Sequence, residues 1–130
     1  MQNVIVPLNA FNRMEVLEKG QISFIKLIAD SGAFGVEIRR ELFLEEKPPL
    51  EGLRHEIQHY QLFTVYSAPI ELWKKNHQLN EQELSMIFEE GKRLGAKWIK
   101  VSLGHFDKVQ SNVNQLRTFL DEQPEFLLLV

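Results

Sequence analysis

Two segments of the chain alternate polar and aliphatic residues with a period of two, which predicts two β-strands. The segment GVEIR carries Glu37 and Arg39 between aliphatic residues, and the segment WIKVSL carries Lys100 and Ser102 in the same way. Successive side chains of a strand point to opposite faces. We therefore expect these four polar side chains on one face of a sheet, with the aliphatic ones packed under helices. The aliphatic residues are Val36, Ile38, Ile99 and Val101.

Strands and helices alternate along the chain, in a repeat of roughly 30 residues that is typical of a βα unit. The pattern predicts strands at residues 3–6, 33–39, 62–67, 98–103 and 126–130. Apolar residues spaced three and four apart predict a helix that ends near residue 32 and three more at residues 50–60, 80–94 and 109–122. Asn80 is a suitable N-cap with Glu83 three residues later, as in a capping box, and Gly95 is a suitable C-cap.

The same spacings predict which side of each helix is buried. In the helix that ends near residue 32, the inward residues are Ile22, Ile25, Ile28 and Ala29. In the helix at residues 80–94 they are Leu84, Ile87, Phe88, Gly91 and Leu94. In the last helix they are Val113, Leu116, Phe119 and Leu120.

This alternation predicts an α/β fold in a single domain over residues 1–130, with two possible architectures. One is a doubly wound five-stranded sheet, and the other is the first half of a TIM (β/α)₈ barrel, which needs about 250 residues. Central strands of a doubly wound sheet are nearly continuous apolar runs, whereas polar residues break two strands here. No helix follows the fifth predicted strand. We therefore expect a half-barrel of about four βα units plus a fifth strand.

Composition and charge fit one soluble globular domain and exclude several classes of function. The chain of 130 residues is 44% hydrophobic with a net charge of −3, so nothing favours a nucleic acid or an anionic membrane. Cysteine is absent, which removes disulfides and thiolate sites. The N-terminus carries no signal-peptide pattern, and the C-terminal run FLLLV is too short to span a membrane. We expect a cytoplasmic protein with no membrane partner.

The segments GAFGVEIRRELF, LFTVYSAP and LGAKWIKVSLGHFD, with Leu79 and Asn80 before the third helix, together resemble the sugar phosphate isomerase/epimerase family. This family consists of xylose isomerase-like TIM barrels, and the resemblance runs in order from about residue 20 to the end. It implies carbohydrate metabolism and metal-assisted proton transfer on a small sugar or sugar phosphate. Family members hold a divalent metal (Mg, Mn or Zn) on later strands, so we expect none bound by this chain alone.

The resemblance also implies roles for particular residues at the mouth of the barrel. Glu37 and Lys100 would be catalytic, with Glu37 orienting a base or accepting sugar hydroxyls and Lys100 steadying an enolate. The substrate-binding residues would be Arg39, Tyr66, Ser102 and His105. The alternative interpretation is that the charged residues only neutralise one another inside the fold, and that Tyr66 is a packing residue.

One motif favours a different function, that of a zinc metallopeptidase. The segment HEIQH matches H-E-x-x-H, in which two histidines one helical turn apart bind zinc. On a helix at residues 50–60, however, Leu53 and Ile57 define the buried side, and His55 and His59 fall on roughly the opposite side. We therefore expect both histidines to be exposed and to bind no catalytic zinc.

The predicted fifth strand also suggests how the protein associates. An exposed edge strand invites pairing with another chain, and residues 127–130 are all aliphatic. We expect a homodimer, or pairing with a partner half. A non-catalytic half-barrel that self-associates is the alternative function.

Overall fold

Five parallel strands form one sheet in a computed structural model, which describes residues 3–130. The strands are β1 (Ile5–Pro7), β2 (Gly35–Arg39), β3 (Phe63–Trp73), β4 (Trp98–Gly104) and β5 (Leu127–Leu129). The helices of this part of the chain are α1 (Arg13–Lys19), α2 (Ile25–Asp30), α3 (Leu50–His59), α4 (Glu81–Leu94) and α5 (Val113–Asp121). The predicted α/β class is confirmed.

The strands lie side by side in the order of the chain, β1-β2-β3-β4-β5, and every neighbouring pair is parallel. Parallel neighbours are joined by right-handed crossovers in nearly all proteins. When neighbouring strands follow one another in chain order and all crossovers have the same hand, the connecting helices lie on the same face of the sheet. The described strand order contains no reversal, the feature that creates a switch point in a doubly wound sheet.

The helix-covered face of the sheet is aliphatic, as the alternation predicts. Val36, Ile38 and Ile99 are fully buried and Val101 nearly so, in one hydrophobic core. The α4 side of this core comprises Leu84, Ile87, Phe88, Gly91 and Leu94. The helix ends at Gly95, which adopts the left-handed conformation expected of a C-cap. No helix in residues 3–130 is long and apolar enough to cross a membrane.

The first predicted helix is interrupted. Gly20 has a φ of 82°, and a 3-10 helix over Gln21–Phe24 connects α1 to α2. A 3-10 helix has three residues per turn, so the α-helical spacing does not continue through it. The prediction that Ile22 is buried is therefore wrong, since its side chain is exposed, and Val113 at the start of α5 is exposed as well.

Strand β3 is longer than predicted, and it runs past Pro69 to Trp73. The register between β3 and β4 shifts at a β-bulge between Ser67 and Glu71. Beyond the bulge the strands pair again, as far as Trp73 and Gly104. Proline lacks an N–H group and is tolerated at such bulges. The strand therefore continues beyond Ser67, where the predicted strand ends, and through Pro69.

Asn80 is the N-cap of α4, but the predicted capping-box bond is absent. Its amide instead donates to the Glu71 carbonyl at 2.9 Å and to the Glu83 carboxylate at 2.7 Å. Asn80 therefore ties the start of α4 to the far end of β3.

Candidate functional site

The face of the sheet opposite the core carries an open pocket of about 400 Å³. We call this face the open face. Strand pairing places Arg39, Ser67 and Lys100 in one row across β2, β3 and β4. The next row towards the amino ends of these strands contains Glu37, Val65 and Trp98. The pocket is lined by Ile5, Pro7, Asn9, Glu37, Arg39, Val65, Trp98, Lys100 and Leu129.

A cluster of opposite charges lies at the centre of this pocket. Glu37 is 8% exposed, and its carboxylate accepts a hydrogen bond from Arg39 Nη1 at 2.7 Å. Lys100 Nζ reaches it from β4 at 3.5 Å, too far for a strong hydrogen bond. Burial opposes the charge of Arg39, but its bonds to Glu37 and Glu41 outweigh that effect and raise the Arg39 pKa. Glu37, Arg39 and Lys100 therefore meet as predicted.

Gln21 fixes the backbone on which Arg39 is carried. Its buried side-chain amide donates to the Arg39 carbonyl at 2.8 Å and accepts from the Arg39 N–H at 2.9 Å. This pair of bonds completes the hydrogen bonding at the carboxyl end of β2. The two bonds hold the Arg39 backbone in place, and with it the base of the Arg39 side chain at the pocket wall.

Ser102 and His105 lie beyond the pocket, towards the carboxyl end of β4. Ser102 is exposed and stands in register with Glu71 of β3. His105 Nε2 lies 3.4 Å from the Glu71 carboxylate, and the His105 N–H donates to the Trp73 carbonyl at 2.9 Å. Neither residue lines the pocket around Glu37.

Tyr66 points to the other face, into the core, so the structure does not bring it to the pocket. It pairs with Ile38 and Ile99 in the sheet and is fully buried. Its hydroxyl donates to the Glu90 carboxylate of α4 at 2.9 Å. Burial and the nearby negative charge raise the Tyr66 pKa far above its ordinary value. Tyr66 is therefore a packing residue of the core whose hydroxyl is hydrogen-bonded.

Arg40 completes that buried arrangement. Its guanidinium donates to both Glu90 oxygens, at 2.7 Å and 3.3 Å. The cluster links the carboxyl end of β2 and strand β3 to α4. Glu90 was not predicted, although it lies three residues after Ile87 and four before Leu94 on the buried face. A charged residue inside an apolar stripe is a usable sequence signal for such a partner.

Further residues of the site were not predicted, among them Trp98, Gln21 and Glu41. Trp98 alternates with Lys100, so the period of two already places it on the open face. Gln21 carries no such signal, because it lies 18 residues before Arg39 and reaches it only in the folded chain. Glu41 is two residues after Arg39 and contacts it from the 3-10 helix Arg40–Leu42.

The histidines of HEIQH are exposed on α3, as predicted, and the buried residues of that helix are Leu50, Leu53 and Ile57. Within residues 3–130, no three His, Asp or Glu side chains converge as metal ligands. The pocket carboxylate of Glu37 and the neighbouring one of Glu41 both contact Arg39. Arg39 therefore already pairs with both carboxylates, the ligand type that a divalent cation such as Mg²⁺ prefers.

No family model matches the sequence, and no curated protein matches it. The assignment of a function therefore depends on the chemistry of the open face.

Proposed function

We propose that the open face binds a small sugar or sugar phosphate, as the substrate-binding part of an isomerase or epimerase. The observation that carries the proposal is the buried Glu37 carboxylate, which lies between two cations in a pocket large enough for a small ligand. Small-molecule sites of this size combine apolar walls with a few convergent polar groups. Here Val65, Trp98 and Leu129 supply the apolar part.

The strand order supports a half-barrel as the setting of this site. Five parallel strands in chain order, with an aliphatic face under helices and a polar face open, match the arrangement of strands in a TIM barrel. In that architecture the open face lines the barrel interior, and substrates bind at the carboxyl ends of the strands. Arg39 is the last residue of β2, and Lys100 stands in the same row of the sheet, as the third of the seven residues of β4.

The charged residues suit proton transfer next to a carbonyl group. Isomerisation and epimerisation both move a proton at such a carbon, and a carboxylate is a suitable base for that step. The negative charge that develops on the substrate oxygen needs a donor nearby. In the proposed site Glu37 accepts the proton or a hydroxyl hydrogen bond, and Lys100, the more exposed cation, donates to the oxygen.

A binding experiment tests the first part of the proposal. Ribose and ribose 5-phosphate are titrated into ¹⁵N-labelled protein, and backbone amide shifts are followed by NMR. We expect saturable shifts at residues of β2, β3 and β4 around the pocket. Lys100→Met should weaken binding by at least about tenfold, because a charge-assisted hydrogen bond is lost.

The matched control is Lys97→Met, which removes an exposed lysine three residues earlier in the chain. It lies outside the pocket and should leave binding unchanged. Equal losses in the two lysine variants, or shifts confined to another surface, would contradict the proposal.

Exchange of substrate hydrogen with solvent tests the catalytic part. The protein is incubated with each sugar in D₂O, in parallel with Mg²⁺, Mn²⁺ and Zn²⁺, and deuterium at the carbon next to the carbonyl is measured. Incorporation that Glu37→Gln abolishes while binding persists would support Glu37 as the base. Binding without incorporation under all three conditions would refute the catalytic role and leave a binding protein.

The second candidate, a self-associating half-barrel, is favoured by the exposed apolar residues near the open face. Phe34 and Leu127 are each about half exposed, and Phe34 stacks on Phe63, which contacts Trp98 edge to face. Strand β5 has a single neighbour among the described strands. We propose that a second copy of the chain packs on this surface.

A further inference from the structure

Arg39 is held between two carboxylates, only one of which belongs to the pocket. Nη1 donates to Glu37 at 2.7 Å. On the other side, Nε donates to Glu41 Oε1 at 2.8 Å, and Nη2 lies 2.8 Å from the same oxygen. Glu41 belongs to the 3-10 helix Arg40–Leu42 that follows β2, and it does not line the pocket. Glu41 therefore contacts Arg39 from outside the pocket.

The second oxygen of Glu41 has an unusual environment. It is buried and has no hydrogen-bond partner within residues 3–130. A buried carboxylate oxygen without a donor is unfavourable, so hydrogen bonding of this second oxygen does not explain why the residue is an acid. What Glu41 does supply is a negative charge next to the Arg39 guanidinium.

This charge changes what the pocket can bind. The two carboxylates and the two cations, Arg39 and Lys100, cancel, so the cluster carries no net charge. A phosphate would have to compete with Glu37 and Glu41 for Arg39. A hydroxyl group, in contrast, both donates and accepts, and it can bond to Glu37 and Lys100 without adding charge.

We propose that Glu41 determines the ligand class of the pocket by neutralising Arg39, so that the pocket selects a neutral polyhydroxylated ligand over an anionic one. The inference rests on the proposed function and narrows it to an unphosphorylated sugar or related polyol. Glu41 acts through Arg39 and is a specificity-determining residue that does not touch the ligand.

The test compares ribose with ribose 5-phosphate in calorimetric titrations at low, constant ionic strength. The unmodified protein should bind ribose at least about tenfold more tightly than ribose 5-phosphate. Glu41→Gln should strengthen ribose 5-phosphate binding by about tenfold, because the Arg39 charge is freed in a partly buried site, and should leave ribose binding nearly unchanged.

The matched control is Glu46→Gln, which makes the same change in net charge at an exposed position of the following loop. It should not alter the preference between the two sugars. An equal gain for ribose 5-phosphate in Glu46→Gln would mean that overall charge is responsible, and would overturn the proposal. Equal binding of the two sugars by the unmodified protein, or a preference for ribose 5-phosphate, would overturn it as well, even if Glu41→Gln does not fold.

Inorganic phosphate separates this inference from the proposed function. If neither sugar binds, the proposed function fails, but phosphate still reports on Arg39. Glu41→Gln should then show saturable phosphate-dependent shifts of the Arg39 Nε–H resonance that the unmodified protein and Glu46→Gln lack. Absence of those shifts in a folded Glu41→Gln variant would overturn the role of Glu41.

Discussion

Two charged clusters on opposite faces of the sheet illustrate how environment sets the role of a side chain. Glu37 and Glu90 are both buried carboxylates paired with an arginine. Glu90 is enclosed by Arg40 and Tyr66 within the core, where it joins strands to a helix. Glu37 faces a pocket and has the loosely held Lys100 beside it. Only the second arrangement leaves room for a ligand.

Tyr66→Phe should destabilise the protein at neutral pH by about 1–3 kcal/mol, because the buried Glu90 carboxylate loses a donor. The effect should depend on pH. The ordinary tyrosine pKa is about 10, and the folded value is raised by burial and by Glu90. Below pH 10 both states keep the proton, so the contribution of Tyr66 is fully present. As the pH rises further, the unfolded state ionises first and that contribution is lost.

Urea unfolding between pH 7 and pH 11 measures this difference in stability. We expect the gap between the unmodified protein and Tyr66→Phe to narrow above pH 10. Tyr60→Phe, at a half-exposed position at the end of α3, is the control and should show a smaller gap at neutral pH. A gap for Tyr66→Phe that stays constant through pH 11 would contradict the assigned environment.

The pairing of β3 with β4 beyond the bulge determines the shape of the sheet at its carboxyl end. Gly104 closes β4 with a φ of 74°. A Cβ atom at this position would meet the Trp73 carbonyl oxygen and would lie 2.7 Å from Glu71 Cβ. Backbone groups cannot move aside as a flexible side chain can. Only glycine therefore allows the two strands to approach this closely and to position His105 beside Glu71.

Gly104→Ala should destabilise the protein by more than a positive φ alone accounts for. The comparison is Gly32→Ala, where φ is 84° but no atom lies within 4 Å of the added Cβ. We expect about 1–2 kcal/mol for Gly32→Ala from backbone strain, and at least about 1 kcal/mol more for Gly104→Ala from the steric conflict. Thermal or urea unfolding measures both. Equal losses would show that β4 relaxes away from β3.

The molecule as a whole has one covered and one open side. Helices bury the aliphatic face, whereas the opposite face combines the charged pocket with exposed apolar residues near the amino ends of the strands. A contiguous exposed apolar surface commonly marks an interaction site. Strand β5 adds an unpaired edge in the described structure, which is a further site for association.

We expect the chain of residues 1–130 to form a homodimer through this surface, with a total buried area above about 1,000 Å². Light scattering after size-exclusion chromatography should give twice the chain mass of 15.2 kDa. Leu127→Lys should shift the protein to the monomer. Leu27→Lys is the control, because Leu27 is about equally exposed but lies on α2. A monomer at high concentration, or equal effects of both variants, would count against the dimer.

The alternation of polar and aliphatic residues determined much of this protein by itself. A strand has a period of two whatever surrounds it, so GVEIR and WIKVSL already assigned Glu37, Arg39 and Lys100 to one face and Val36 and Ile99 to the other. The helix α4, its buried face and its glycine C-cap followed from local spacing in the same way. These features depend on neighbours within a few residues.

Tertiary structure decided what depends on distant parts of the chain. The resemblance assigned Tyr66 to the mouth of a barrel, but its place in the sheet register turned it towards Glu90, 24 residues away. Strand β3 continues past Pro69 because β4 pairs with it on both sides of the β-bulge. Gln21 became part of the site only when the folded chain brought it to Arg39, 18 residues further along the sequence. Hydrogen bonds and ion pairs act over a few ångströms in space, and no periodicity along a sequence encodes those distances.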